Sequence, residues 1–155
     1  MTTALISQSI IDQYNALDSA IRSLENMSAI GLRACHPSTP FDIYLREYKT
    51  IIAGSGRQNG KTHWIASHAR KGDLIFCLDS LNTFEKVFFD LGIDLNDLPS
   101  VVTFHQQDQA YNQTEPIKRV FVDDAYYVFS RINRNKFYRN LMHRCTKETM
   151  FYLIG

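Results

Sequence analysis

The residues best equipped for chemistry lie in one stretch, Tyr48 to Ile65, which reads YKTIIAGSGRQNGKTHWI. A β-prone run, Thr50-Ile51-Ile52-Ala53, gives way to a glycine-containing loop, and Gly60-Lys61-Thr62 opens a helix. This is the strand, loop, helix order of a phosphate-binding loop. The residue types suit that task. Successive backbone N–H groups from Ser55 through Gly56, Arg57, Gln58, Asn59 and Gly60 to Thr62 can wrap a triphosphate, and the helix N-terminus adds partial positive charge. Lys61 would reach the outer phosphates as a point charge, and the Thr62 hydroxyl would hold a Mg²⁺. The pattern asks for Gly five residues before Gly60. That position is Ser55, with Gly54 and Gly56 on either side.

A second acidic half-site lies about sixty residues beyond Lys61, where Val120-Phe121-Val122 runs into Asp123-Asp124-Ala125. An Asp at the end of an apolar strand can hold Mg²⁺ through water, and the acid after it can position an attacking water. Paired acids at a strand end say little alone. Their weight comes from falling on a later strand of the same alternating pattern as the phosphate loop.

The elements that must position these groups follow from periodicity. Ile6, Ile10, Tyr14, Leu17, Ile21 and Leu24 recur at helical spacing and predict one amphipathic helix over residues 4–30, stopped at Gly31, that packs on the sheet or else pairs with another subunit. Residues 33–40, with Pro37 and Pro40, read as a linker into the first strand. Beyond the phosphate-loop helix, residues 73–78 form a continuous apolar run, as in a strand buried on both faces. Ser80 reads as the cap of a helix carrying Leu81, Phe84, Val87, Phe88 and Leu91, stopped at Gly92. A third strand is expected over 101–104, a loop over 106–115 and a fourth strand over 119–122. A mainly helical segment over 125–145, broken near Asn133, and a fifth strand over 150–154 complete the reading. Strands alternating with helices predict an α/β three-layer sandwich on a mostly parallel five-stranded sheet, with an N-terminal helix. The phosphate loop and Asp123 then open at the carboxyl ends of the strands, where such sheets bind ligands.

The chain has 155 residues, enough for one domain with a single core, divided as an N-terminal helix and linker over 1–40 and a catalytic core over 41–155. A hydrophobic share of 45% and a charged share of 21% are ordinary for a globular chain, and a net charge of +1 argues neither for nor against nucleic acid. Three widely spaced cysteines make no disulfide framework and point to a reducing, cytoplasmic setting. Neither a leader with a basic start nor an apolar run of membrane-spanning length is visible, so no membrane partner is expected.

With these residues in hand, a resemblance can be stated. Gly56-Arg57-Gln58-Asn59-Gly60-Lys61-Thr62 resembles the Walker A motif of viral terminase large subunits, the DNA-packaging motors, and Val122-Asp123-Asp124-Ala125 resembles their Walker B. Thr103-Phe104-His105 and residues 151–155 are similar to segments of terminases and superfamily-one helicases, the latter to the coupling-motif strand. The likeness covers about residues 49–155. It implies a RecA-like, additional-strand P-loop NTPase that binds ATP with Mg²⁺ and hydrolyses it, in a protein of viral or mobile-element origin acting near DNA in the host cytoplasm. By the same resemblance Ser55 to Thr62 bind phosphate, Thr62 and Asp123 hold Mg²⁺, Asp124 activates water, and Lys61 and Arg57 act near the γ-phosphate. The chain departs from the pattern in having Asp124 where Glu is usual and in having no Gln just upstream of the loop to read adenine. It reaches Gly155 where the coupling motif goes on to Ser or Thr and further domains follow. A second copy, or a larger motor or nuclease partner, is expected to complete the site.

Other features were weighed beside this one. From Arg131 to Lys147 there are six Lys or Arg and no acid, and on a continuous helix Arg131, Asn135, Arg139, His143 and Lys147 would form one stripe able to neutralise DNA phosphates. Cys35-His36 and His143-x-Cys145 lack the spacing of a structural zinc module. Trp64 reads as core, and His63 and His68 as packing or surface residues. Two rival functions stay open: a nucleotide-dependent binding or assembly module with little turnover, and a helicase-like ATPase stimulated by nucleic acid. A small-molecule kinase would need an Arg-bearing lid, and residues 106–115 carry neither Arg nor Lys.

Overall fold

The architecture is seen in a computed structural model that describes residues 8–32, 35–54, 60–78 and 81–155. Five strands, β1 (Thr50–Ala53), β2 (Leu74–Cys77), β3 (Ser100–Thr103), β4 (Ile117–Asp123) and β5 (Cys145–Ile154), form one sheet in the order β1-β5-β4-β2-β3. Every pairing is parallel. The last strand is therefore inserted between the first and the fourth.

Side-chain alternation builds a core on each face of this sheet. Ile51, Ala53, Ile75, Cys77, Phe121, Tyr152 and Ile154 point to one side, where helices α1 (Gln8–Gly31), α3 (Gly60–His68) and α4 (Leu81–Asp90) supply Leu17, Ile21, Trp64, Ile65, Phe84 and Phe88. Leu74, Phe76, Val120, Val122, Phe151 and Leu153 point to the other. They meet α2 (Phe41–Tyr48), α5 (Gln107–Asn112), α6 (Ala125–Arg131) and α7 (Arg134–Leu141) through Leu45, Ala110, Val128, Phe137, Tyr138 and Leu141. The three expected layers are present. All four residues of β2 are buried, as the continuous apolar run required.

The N-terminal helix packs on the sheet. Its apolar stripe is clamped by polar contacts at several heights: Tyr14 Oη to Ser67 Oγ at 3.1 Å, Trp64 Nε1 to Asp18 Oδ1 at 3.1 Å, and Tyr152 Oη to Glu25 Oε1 at 2.8 Å. Trp64 is buried in this layer, stacked on His68 with ring centroids 4.2 Å apart. Gly92, with φ at +66°, ends α4 in a backbone region that side chains avoid.

Two expectations need correction, and one element was not foreseen. The linker is irregular over its described residues 35–40, as expected, and a helix that no pattern announced, Phe41–Tyr48, follows it and buries Leu45. Pro40 stands just before it, where a missing N–H costs the helix nothing. The segment 106–115 is not a loop. A 3₁₀ turn over Phe104–Gln106 leads into α5, which buries Ala110 against the second core. Tertiary burial of one small apolar residue outweighs the polar, unpatterned composition there. The basic stripe fails as well, because the helix breaks. Ile132 is extended (φ −123°, ψ 147°), and the Asn133 side chain accepts from Lys136 N at 3.0 Å to cap a new helix.

Candidate functional site

The site is set by two strand ends separated by β5. Ala53 ends β1 and Asp123 ends β4, and both lie in register with Ile154 of β5. Chain direction is common to all three, so the groups that follow Ala53 and Asp123 emerge on one edge of the sheet.

Gly54 makes the exit from β1 possible. Gly155 N donates to Ala53 O at 2.8 Å, which brings the Gly155 backbone so close that a Cβ on Gly54 would stand 2.7 Å from its carbonyl oxygen. No side chain fits there. Residues 55–59, and with them the expected roles of Ser55, Gly56, Arg57, Gln58 and Asn59, lie outside the described residues. The chain is described again at Gly60, the first residue of α3. Gly60 lies against α1, where an added Cβ would be 3.1 Å from Gln13 Cβ. Gln13 Oε1 is buried beside it without a hydrogen-bond donor among the described residues. Nothing local in the sequence marks Gln13. Its place follows only from the docking of α1 on α3.

Lys61 and Thr62 then turn toward β4. Thr62 Oγ1 donates to Asp123 Oδ2 at 3.0 Å, and Lys61 Nζ lies 2.7 Å from Asp124 Oδ1. The four residues that the sequence marks on two distant segments are thus in direct contact. Asp123 is buried, and its second oxygen accepts the Asp124 backbone N–H at 3.0 Å. Asp124 occupies the left-handed region (φ 50°, ψ 48°) at the start of α6, a conformation Asp tolerates better than most residues. That turn swings its side chain back over α3, toward Lys61.

The electrostatics are uneven. Burial, and next the charge of Asp124, push the Asp123 carboxyl above the ordinary carboxylate value. The Thr62 hydrogen bond, the Lys61 charge and the Asp124 N–H oppose this without cancelling it. A carboxylate so placed gains from an added cation nearby. The donors are oxygens, the set that Mg²⁺ prefers, and Mg²⁺ commonly takes only one or two protein groups beside substrate phosphates and water. Among the described residues no cluster of three or more His, Cys, Asp or Glu could cage a metal alone. Thr62 and Asp123 therefore fit a Mg²⁺ that arrives with its phosphates.

The basic residues expected to contact DNA are dispersed. Arg131 ends α6, Arg139 lies on α7, His143 is in a 3₁₀ turn and Lys147 is on β5. His143 Nε2 is 3.3 Å from Gln113 O. Arg144, also counted in that run, is buried and donates to Ala110 O and Glu115 O, so part of the positive charge holds α5 in place. No protein-family model, no curated protein and no solved structure matches this chain. No helix among the described residues is long and apolar enough to cross a membrane.

Proposed function

We propose that this protein is a P-loop NTPase of the RecA-like, additional-strand kind, which binds ATP with Mg²⁺ and hydrolyses it slowly. The observation that carries the reading is the convergence of Lys61 and Thr62, on the helix after β1, with Asp123 and Asp124 at the end of β4, in an all-parallel sheet where β5 lies between those two strands. The strand order supports it. β5 separates β1 from β4, as the additional-strand arrangement requires.

Each residue then has a stated task. Lys61 exchanges Asp124 for the β- and γ-phosphates. The Asp124 side chain is 43% exposed although Lys61 is buried, so water reaches the carboxylate end of the resting ion pair and can take it over as Lys61 turns to phosphate. Thr62 and Asp123 would hold Mg²⁺, which neutralises charge on the phosphate oxygens when bound. Asp124, released from Lys61, accepts a hydrogen bond from the attacking water and takes its proton. The γ-phosphoryl passes to that water oxygen as its bond to the β-phosphate oxygen breaks, giving ADP and phosphate. DNA as an activator, a terminase-like packaging role and assembly with a motor or nuclease partner belong to the same proposal, carried by the motif resemblance alone.

A second reading, a nucleotide-dependent switch with little turnover, draws on the Lys61–Asp124 pair itself. Asp is one methylene shorter than the usual Glu, and here it is occupied by the lysine. Phosphate release measured with Mg²⁺, with and without DNA, separates the two. Asp124→Asn is expected to bind ATP as the parent does and to lose turnover by about 10²–10⁴-fold, the usual contribution of a positioned base. Asp124→Glu is expected to keep or raise the rate. Equal turnover in Asp124→Asn and parent would favour the switch.

A further inference from the structure

The sheet ends at β1, and among the described residues no strand pairs with its outer side. Lys49 O and Ala53 O accept from Phe151 N of β5 and from Gly155 N just beyond it, so by alternation the N–H and C=O of Ile52 face outward. The Ile52 side chain belongs on the face of β5 residue Leu153, its register partner, beside a groove that separates it from α6. It is left 58% exposed in mid-strand. Exposed edges with apolar side chains invite strand addition, and β1, though only four residues long, carries neither the Lys nor the Pro that often blunts such an edge.

Two grooves flank this edge, and Ile52 borders both. One, of about 500 Å³, runs along α6 past Phe129, Leu153 and the 77%-exposed Tyr126. The other, of about 270 Å³, lies between α1 and α2 beside Leu24 and Met27. An added strand sends successive side chains to opposite faces. The first groove lies on the α6 face and the second straddles the edge, closed at its start where Ser28 Oγ donates to Tyr48 O, so an added strand has room from Thr50 onward. The larger groove also specifies charge. Arg134 lines it, over the Phe129 ring and hydrogen-bonded to Tyr138, with its Nε still lacking an acceptor among the described residues.

The geometry points to a docking site for an extended segment of a partner polypeptide, which adds a sixth strand along β1. The segment carries apolar side chains at alternate positions and one Asp or Glu that pairs with Arg134. Backbone hydrogen bonds to Ile52 supply affinity, the two grooves select apolar side chains, and the guanidinium selects the acid. No step depends on nucleotide, so failure here would leave the ATP reading untouched.

The test uses the full chain and a displayed library of random linear peptides. Recovered peptides are expected to alternate apolar residues and to share one acid. The best of them should slow deuterium exchange at the Ile52 N–H. Ile52→Lys, at an exposed position where the melting temperature should not change, is expected to weaken binding roughly tenfold or more. Arg134→Gln should weaken it only while the peptide keeps its acid, the effect vanishing against the matching Gln peptide. Peptides that bind Ile52→Lys as well as the parent, or a library that yields no binder, would overturn the proposal. So would an Ile52 N–H already protected in the free chain, or a dimer that Ile52→Lys dissolves, either of which gives the edge another occupant.

Discussion

Asp124 decides more than any other residue here. It is the only residue other than glycine with positive φ among the described ones, it begins α6, and it holds Lys61. Gly54 is its counterpart across the site, and it yields a sharp expectation. Gly54→Ala would press a methyl to 2.7 Å from Gly155 O, which is backbone and cannot swing away. The variant is expected to lose about 1–3 kcal/mol of stability to overpacking and to weaken ATP binding, read by urea unfolding and calorimetry on the same sample. Unchanged values in both would show that β1 and Gly155 separate easily. Cys145 offers a check unrelated to ATP. Burial raises its thiol to about 12, against the opposing Thr149 hydrogen bond and Arg144 charge. At pH 8 only about one molecule in ten thousand then carries the thiolate, so iodoacetamide should label Cys145 only after denaturation.

At the scale of elements, legibility followed burial pattern. β2 was readable because all four of its residues are buried and apolar, and α4 because Phe84, Val87 and Phe88 recur on one face. The break at Asn133 was readable from its capping chemistry. α2 and α5 were not, because each is short and anchored by one buried residue, Leu45 or Ala110, whose partners are distant in sequence. The site was legible as two motifs, Gly60-Lys61-Thr62 and Asp123-Asp124. Their contact, and the turn of Asp124 onto Lys61, depend on β5 lying between β1 and β4 and could not be read locally. α1 supplies the expectation at this scale. Ile21 is 1% exposed in the core formed with α3 and the sheet. Ile21→Ala is expected to cost about 2–5 kcal/mol at any protein concentration, by denaturant melts. A cost that disappears on dilution would mean that the helix packs on another subunit instead.

For the whole molecule, the account is that a parallel sheet brings a lysine, a threonine and two acids together to hold a nucleoside triphosphate. The most direct measurement is titration calorimetry of ATP with Mg²⁺ against the parent chain and Lys61→Ala. Lys61 is 5% exposed and among the described residues is bonded to the half-exposed Asp124 carboxylate, so its loss should spare the fold, to be verified by an unchanged circular dichroism spectrum. The account predicts saturable, Mg²⁺-dependent binding to the parent and a loss of at least roughly tenfold in affinity in Lys61→Ala, about 1.4 kcal/mol or more. Equal affinity in the two proteins, or no heat of binding in either, would contradict it.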